Sequence, residues 1–178
     1  MKRHLPLLLL MAAIVLLDQG TKALVALSLD LHEYVPIVDG FLSLSHVRNR
    51  GAAFGLLSDW DIPYQSAVLA VLSLCALVAI AFYFLRLPAA ARLPRFALAL
   101  VLGGAVGNLI DRARLGYVVD FVHVYWRRYQ WPDFNVADSA ITVGVALLVL
   151  DILCSPGTST AGAKPAIDAA APTTGRID

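Results

Sequence analysis

The stretch 111–141, DRARLGYVVDFVHVYWRRYQWPDFNVADSAI, decides how this chain is read, because it is the most polar run in a very apolar sequence. Four of the 13 acidic residues fall within it: Asp111, Asp120, Asp133 and Asp138. One apolar run ends just before it and another begins inside it. It therefore reads as an external segment held between two membrane spans. Carboxylates placed where a bilayer meets water are costly unless they are used, so this stretch is the first candidate for an active site.

Composition supports a membrane setting. Of 178 residues, 59% are hydrophobic and 15% charged, with a mean hydropathy of +0.73, where soluble domains carry about 25% charged residues. The net charge of +1 marks no nucleic-acid partner. The two cysteines, Cys75 and Cys154, sit in separate apolar runs and give neither a disulfide framework nor a metal-ligand spacing. No metal or organic cofactor is expected.

Crossing a bilayer takes roughly 20 apolar residues in a helix. Four segments qualify, at 5–29, 63–85, 96–110 extended into Asp111-Arg112, and 136–153. The charged, apolar N-terminus has the start of a signal peptide but no small-residue cleavage site, so it is read as a retained first span. Pro63 suits a first helical turn. Four spans put both termini on one side. Basic residues divide evenly, with Lys2, Arg3, Arg86, Arg92, Arg95, Lys164 and Arg176 on the terminal side. Lys22, Arg48, Arg50, Arg112, Arg114, Arg127 and Arg128 fall on the other. The arginine-rich, acid-free loop 86–95 and the Lys2-Arg3 pair favour cytoplasmic termini.

The segment 30–62 then lies outside. Tyr34-Val35-Pro36-Ile37-Val38 and Phe41-Leu42-Ser43-Leu44 suggest short strands, and Asp39-Gly40 between them is a hairpin-turn signal. The fold expected is a mainly α membrane protein of four transmembrane helices with short extracytoplasmic strands. It forms one domain over 1–154, with a disordered tail over 155–178.

Each polar constellation has a plain structural reading beside a functional one. Asp18 and Lys22, spaced i,i+4, share a helix face and pair. Asn49 opens a run of small residues to Gly55, suited to close backbone approach or to an ordinary glycine turn. Gly103 and Gly107 form a small-xxx-small pair for helix packing. Asn108 and Arg112 share a face, with Asp111 beside them as half of an interfacial Asp–Arg pair. Asp120 follows a β-branched run that holds it on a strand. Asp138, three residues after Asn135, fits an N-cap with an acidic third residue. Alternatively, Asp120 and Asp138 converge as a carboxylate pair sharing one proton, one activating water and the other protonating a carbonyl. The spacing allows either.

Other chemistries fit less well. His4, His32, His46 and His123 are scattered, with no H-E-x-x-H, and Ser139 lacks a G-x-S-x-G setting. His123 reads as a structural strand residue. A small transporter using Asp18, Lys22 and Asp138 as an intramembrane polar path is the main competing class, and a scaffold for other membrane proteins is a third.

Taken in order, five motifs outweigh any one of them: Asp18-Gln-Gly-Thr-Lys22, Asn49-Arg-Gly-Ala-Ala-Phe54, Gly104-Ala-Val-Gly-Asn-Leu-Ile-Asp-Arg112, Val118-Val-Asp-Phe121 and Phe134-Asn-Val-Ala-Asp-Ser-Ala-Ile141. This series closely resembles the bacterial lipoprotein signal peptidases (signal peptidase II), over roughly 5–153. The resemblance implies a four-span protein of the bacterial inner membrane with a small extracytoplasmic β-cradle. It implies a cofactor-free aspartyl endopeptidase with Asp120 and Asp138 as its dyad near the outer membrane–water interface. It implies substrates that are prolipoproteins carrying diacylglycerol on the lipobox cysteine, cut just before that cysteine. Asn49, Asn108, Arg112 and Asn135 would contact substrate, and would equally contact inhibitors of the globomycin type. Asp18, Lys22 and Asp111 would support the site. Membrane lipid is the other expected partner. One chain holds every motif, so a monomer suffices.

Overall fold

The structure is a computed structural model in which residues 4–51 and 64–154 are described. Four helices carry most of the chain: α1 (Leu5–Ser28), α2 (Gln65–Arg86), α3 (Arg92–Leu115) and α4 (Val136–Cys154). Each is long and apolar enough to cross a membrane. Pro63, the run 52–55 and the tail lie outside the described residues.

The third helix is the axis of the bundle. More than half of its apolar window is buried, against 17% or less in the other three. Its glycines explain why. A Cβ at Gly103 would crowd Ile14 of α1, one at Gly107 would meet Asp18 Oδ2 at 2.5 Å, and one at Gly104 would collide with the Ala137 carbonyl of α4. The Gly103–Gly107 pair thus lets α1 pack close, as its spacing suggests, while Gly104 admits α4. Lower in the bundle, Phe84, Leu98 and Leu102 form a buried cluster, with Leu7, Met11 and Leu148 packed around it.

The third helix also corrects an expectation. The segment 86–95 was expected to be a loop, yet α2 ends at Arg86 and α3 begins at Arg92. Arg95 is in the first turn of α3 and buried. Its guanidinium donates to His4 Nδ1 at 2.8 Å and lies 5.4 Å from the Phe84 ring centre. The aromatic face and the imidazole take the place that water would hold around an exposed arginine.

Between the helices a four-stranded antiparallel sheet forms in the order β1 (Tyr34–Val38), β2 (Leu42–Asn49), β3 (Val118–Trp126) and β4 (Tyr129–Gln130). The β1–β2 turn is the expected one, with Gly40 at φ +76°, a conformation open to glycine. The second strand runs five residues beyond the alternation seen in the sequence. A register shift between Leu44 and Val47 lets it do so, and Asn49 then pairs with Val118. Asn49 is therefore the last residue of a strand and not part of a loop. Gly116, at φ +77°, closes α3 and turns the chain directly into β3.

Candidate active site

The sheet and the N-terminus of α4 bring Asp120 and Asp138 together. Asp120 is the third residue of β3, as its β-branched approach predicts, and is 1% exposed. Asp138 is the third residue of α4 and half-buried. Asn135 joins them. Its side-chain oxygen accepts the Asp138 backbone N–H at 2.9 Å, which is the N-cap bond expected from the spacing. Its amide nitrogen donates to Asp120 Oδ1 at 2.7 Å. The cap and the carboxylate pair, read as alternatives in the sequence, are one arrangement.

Three asparagine amides surround the pair, and each has its orientation set by a partner of fixed polarity. The Asp138 N–H fixes Asn135. The Gly51 N–H donates to Asn49 Oδ1 at 2.8 Å, turning Asn49 Nδ2 toward Asp120 Oδ2 at 2.9 Å. The Lys22 ammonium donates to Asn108 Oδ1 at 2.9 Å, turning Asn108 Nδ2 toward Asp138 Oδ1 at 2.7 Å. Burial pushes the Asp120 carboxyl up to about 7, and the nearby Asp138 charge adds to this. The bonds from Asn49 and Asn135, and the charge on Lys22, act the other way.

Beneath the dyad lies a second pair of carboxylates. Asp18 and Asp111 each sit 2.9 Å from Lys22 Nζ, and all three are at most 3% exposed. Asp18 Oδ1 accepts the N–H of Ala137 at 2.9 Å, and Asp111 Oδ2 accepts the N–H of Val119 at 3.1 Å. Each supporting carboxylate thus holds the backbone one residue before an aspartate of the upper pair. The expected Asp18–Lys22 pair is present. The expected Asp111–Arg112 pair is not, because Asp111 turns inward to Lys22 and the Arg112 guanidinium donates to the Gly51 carbonyl at 3.1 Å.

Gln19 belongs to this layer and was not singled out in the sequence. Its amide donates to Asp111 Oδ1 at 2.8 Å, and lies 3.2 Å from both Asp18 Oδ2 and the Gly107 carbonyl. The signal available was a third polar side chain beside Asp18 in an apolar span. His123 is no part of the site. Strand alternation turns it to the face opposite Asp120, where it stacks on Tyr125 and lies 3.3 Å from Asp133.

Asp138 opens on two clefts. One, of about 250 Å³, lies between α2, α3 and α4. Asn49, Asn108, Arg112 and Asp138 form its polar end, and residues such as Leu72 and Val101 its apolar walls. The other, of about 280 Å³, is lined by Trp131, Phe134, Asp138, Ser139, Thr142 and Val143. Asp138 borders both. Among the described residues no group of three or more His, Cys, Asp or Glu side chains is placed to hold a metal.

Four membrane-length helices with a small antiparallel sheet, and a carboxylate pair beside an apolar cleft, define a polytopic membrane protein. The family profile described as Signal peptidase (SPase) II matches residues 10–154, and the chain belongs to that family. A lipoprotein signal peptidase of Geobacter sulfurreducens is 50% identical over 137 residues, covering 77% of this chain and 84% of its own. One from Acinetobacter baylyi is 42% identical over 140 residues, covering 77% and 75%. A solved bacterial membrane enzyme, determined in meso at 2.3 Å resolution, is similar with a TM-score of 0.75 and 31% identity. It covers 83% of this chain and 87% of its own.

Proposed function

We propose that this protein is an aspartyl endopeptidase of the bacterial inner membrane that removes signal peptides from lipoprotein precursors. The substrate would be a prolipoprotein whose lipobox cysteine already carries diacylglycerol, cut just before that cysteine. The observation that carries the reading is the bridging of Asp120 and Asp138 by the single side chain of Asn135. Two carboxylates held this way in a buried setting do not ionise together easily, so one proton is shared between them. One carboxylate draws a proton from water as it attacks the scissile carbonyl, and the other protonates the carbonyl oxygen. Expulsion of the cysteine amine, with a proton delivered to it, completes the hydrolysis.

The surroundings suit a lipid-anchored peptide. The apolar walls of the α2–α4 cleft match a hydrophobic signal segment, and its polar end lies at the dyad. Asn49, Asn108, Arg112 and Asn135 would bind the substrate backbone there, and globomycin-type inhibitors would occupy the same groups. Asp18, Lys22, Asp111 and Gln19 hold the dyad's backbone in register. The termini are assigned to the cytoplasm and the site to the outer interface. One chain supplies every group invoked, so the working unit is a monomer.

The test is cleavage of a prolipoprotein in detergent, with and without diacylglycerol on its cysteine, and with EDTA present. Mass spectrometry should find a new N-terminal cysteine from the modified precursor alone, at a rate EDTA does not change. Cleavage elsewhere, or loss of it with EDTA, would overturn the reading. Solute flux through proteoliposomes without any peptide product would favour the transporter class instead.

A further inference from the structure

The β3–β4 hairpin reads Trp126-Arg127-Arg128-Tyr129-Gln130-Trp131 and is exposed along its whole length. Its three aromatic side chains are each more than half exposed. Trp126 pairs with Tyr129, so Arg127 and Arg128 form a two-residue turn. Arg127 holds φ +55° there, at a position where such turns favour glycine or asparagine. The Arg127 guanidinium lies 5.6 Å from the Trp126 ring centre and that of Arg128 lies 5.5 Å from Tyr129. At the same end of the sheet the Phe41 carbonyl accepts the Tyr125 N–H at 2.9 Å, which brings exposed Phe41 and Val38 alongside. No carboxylate lies within 126–132. Of the nearby acids, Asp39 is in the β1–β2 turn, and Asp133 accepts the Ser45 hydroxyl and faces His123.

The fold fixes the level of this hairpin in the membrane. The fourth helix has 19 residues, about 28 Å at roughly 1.5 Å per residue, against a hydrocarbon core of about 30 Å. It has no length to spare, so its first turn lies at the boundary with water. Trp131 shares a cleft with Ser139, Thr142 and Val143, in the first turns of that helix, and Val143 is itself exposed. Trp131 is in turn tied to β3, its N–H donating to the Val124 carbonyl at 2.8 Å. The hairpin therefore runs along the edge of the bilayer.

We propose that the hairpin is a lipid-headgroup site. Its aromatic side chains seat at the membrane–water boundary, and Arg127 and Arg128 bind the phosphate oxygens of acidic phospholipids in the leaflet where α4 begins. Indole and phenol rings favour that boundary because one part of each is apolar and the other hydrogen-bonds. A guanidinium stacked on a ring keeps the N–H groups at its edge, whose fork matches phosphate oxygens. Two adjacent cations in a turn without an acid favour lipids of net negative charge over zwitterionic ones, whose own amine offsets the phosphate. Four residues separate Trp131 from Asn135, so a hairpin pinned to headgroups also holds the start of α4 at a fixed depth. The proposal requires only that the chain crosses a membrane, and stands or falls separately from the peptidase reading.

Tryptophan quenching tests it. Full-length protein is placed in bilayers of equal parts phosphatidylcholine and phosphatidylglycerol, with bromine near the headgroup end of the acyl chains of one lipid or the other. Trp126→Phe with Trp131→Phe isolates the hairpin's share of the fluorescence, since the chain has three tryptophans. That share should be quenched by both lipids, and about twofold or more strongly by the brominated phosphatidylglycerol. Arg127→Gln with Arg128→Gln should leave the quenching and abolish the preference. Equal quenching by the two lipids in the wild-type protein would overturn the headgroup site even where the variant fails to fold, as would a preference that survives the double substitution. Quenching of the hairpin by aqueous iodide, with none by either brominated lipid, would overturn the membrane placement as well and mark the hairpin as a surface for a water-soluble partner.

Discussion

Asp18 on α1 accepts the backbone N–H of Ala137 at the start of α4, 119 residues away in sequence and 2.9 Å away in space. A carboxylate at a helix N-terminus stabilises it both by a hydrogen bond and by charge. Here the carboxylate comes from another helix, and the residue it holds is the one before Asp138. Asp111 does the same for Val119, the residue before Asp120. With Lys22 bonded to both carboxylates, the spacing of the dyad is set from the layer below.

Substitutions at Asp18 should separate these roles. Asp18→Asn keeps an oxygen for Ala137 and loses the charge facing Lys22, whereas Asp18→Leu loses both. Cleavage rate and thermal midpoint in detergent should both fall in the order wild type, Asn, Leu, with Leu costing on the order of 3 kcal/mol. Equal stability of the two variants would show that the bond to Ala137 contributes nothing.

Lys22→Met should be at least as damaging. It leaves Asp18 and Asp111 buried with no cation between them, a change that typically costs about 3–5 kcal/mol. Denaturation in detergent would measure it. A loss under about 1 kcal/mol would contradict the account in which Lys22 holds the two carboxylates together.

Glycine contacts give a graded series. Gly104→Ala drives a Cβ into the Ala137 carbonyl, and Gly107→Ala places one 2.5 Å from Asp18 Oδ2, while Gly20→Ala meets nothing within 4 Å. The first two should lower the thermal midpoint and depress cleavage, since α4 or α1 must shift. Gly20→Ala should leave cleavage unchanged and raise stability by about 0.5–1 kcal/mol, because alanine is the better residue inside a helix. Normal turnover by Gly104→Ala would contradict the close α3–α4 packing.

The buried Asp120 should oppose stability at alkaline pH. Its folded-state value of about 7 lies above the ordinary 3.8, so between these limits the folded protein holds a proton that the unfolded chain has lost. Stability from this group therefore falls as pH rises from about 4 to about 7 and is level beyond. Asp120→Asn removes the liability, and should raise the midpoint at pH 8 relative to wild type and much less at pH 4. A difference independent of pH would show that Asp120 is not held protonated.

Much of this was legible because the signals are local. Four apolar runs gave four spans, Asp39-Gly40 gave the hairpin turn, and Asn135 with Asp138 gave the start of α4. The ordered motifs pointed to the right family before any fold was drawn. What stayed hidden depends on distant segments. No spacing rule links Asp18 to Ala137 or Asp111 to Val119, and Gln19 looks unremarkable until α3 presents the Gly107 carbonyl to it. Arg95 read as a loop cation, because only the fold supplies the His4 and Phe84 partners that let it be buried. The extension of β2 to Asn49 likewise requires β3 as its partner.

The most direct test of the central claim is a gel-shift cleavage assay on diacylglyceryl-modified prolipoprotein in detergent, with wild type, Asp120→Asn and Asp138→Asn compared side by side. Circular dichroism and thermal melting would establish that each protein is folded. The dyad account predicts cleavage by wild type and a loss of at least about a thousandfold in both folded variants, of the size expected when a general acid or base is removed. Near-normal turnover by either variant would contradict it and return that aspartate to a purely structural role.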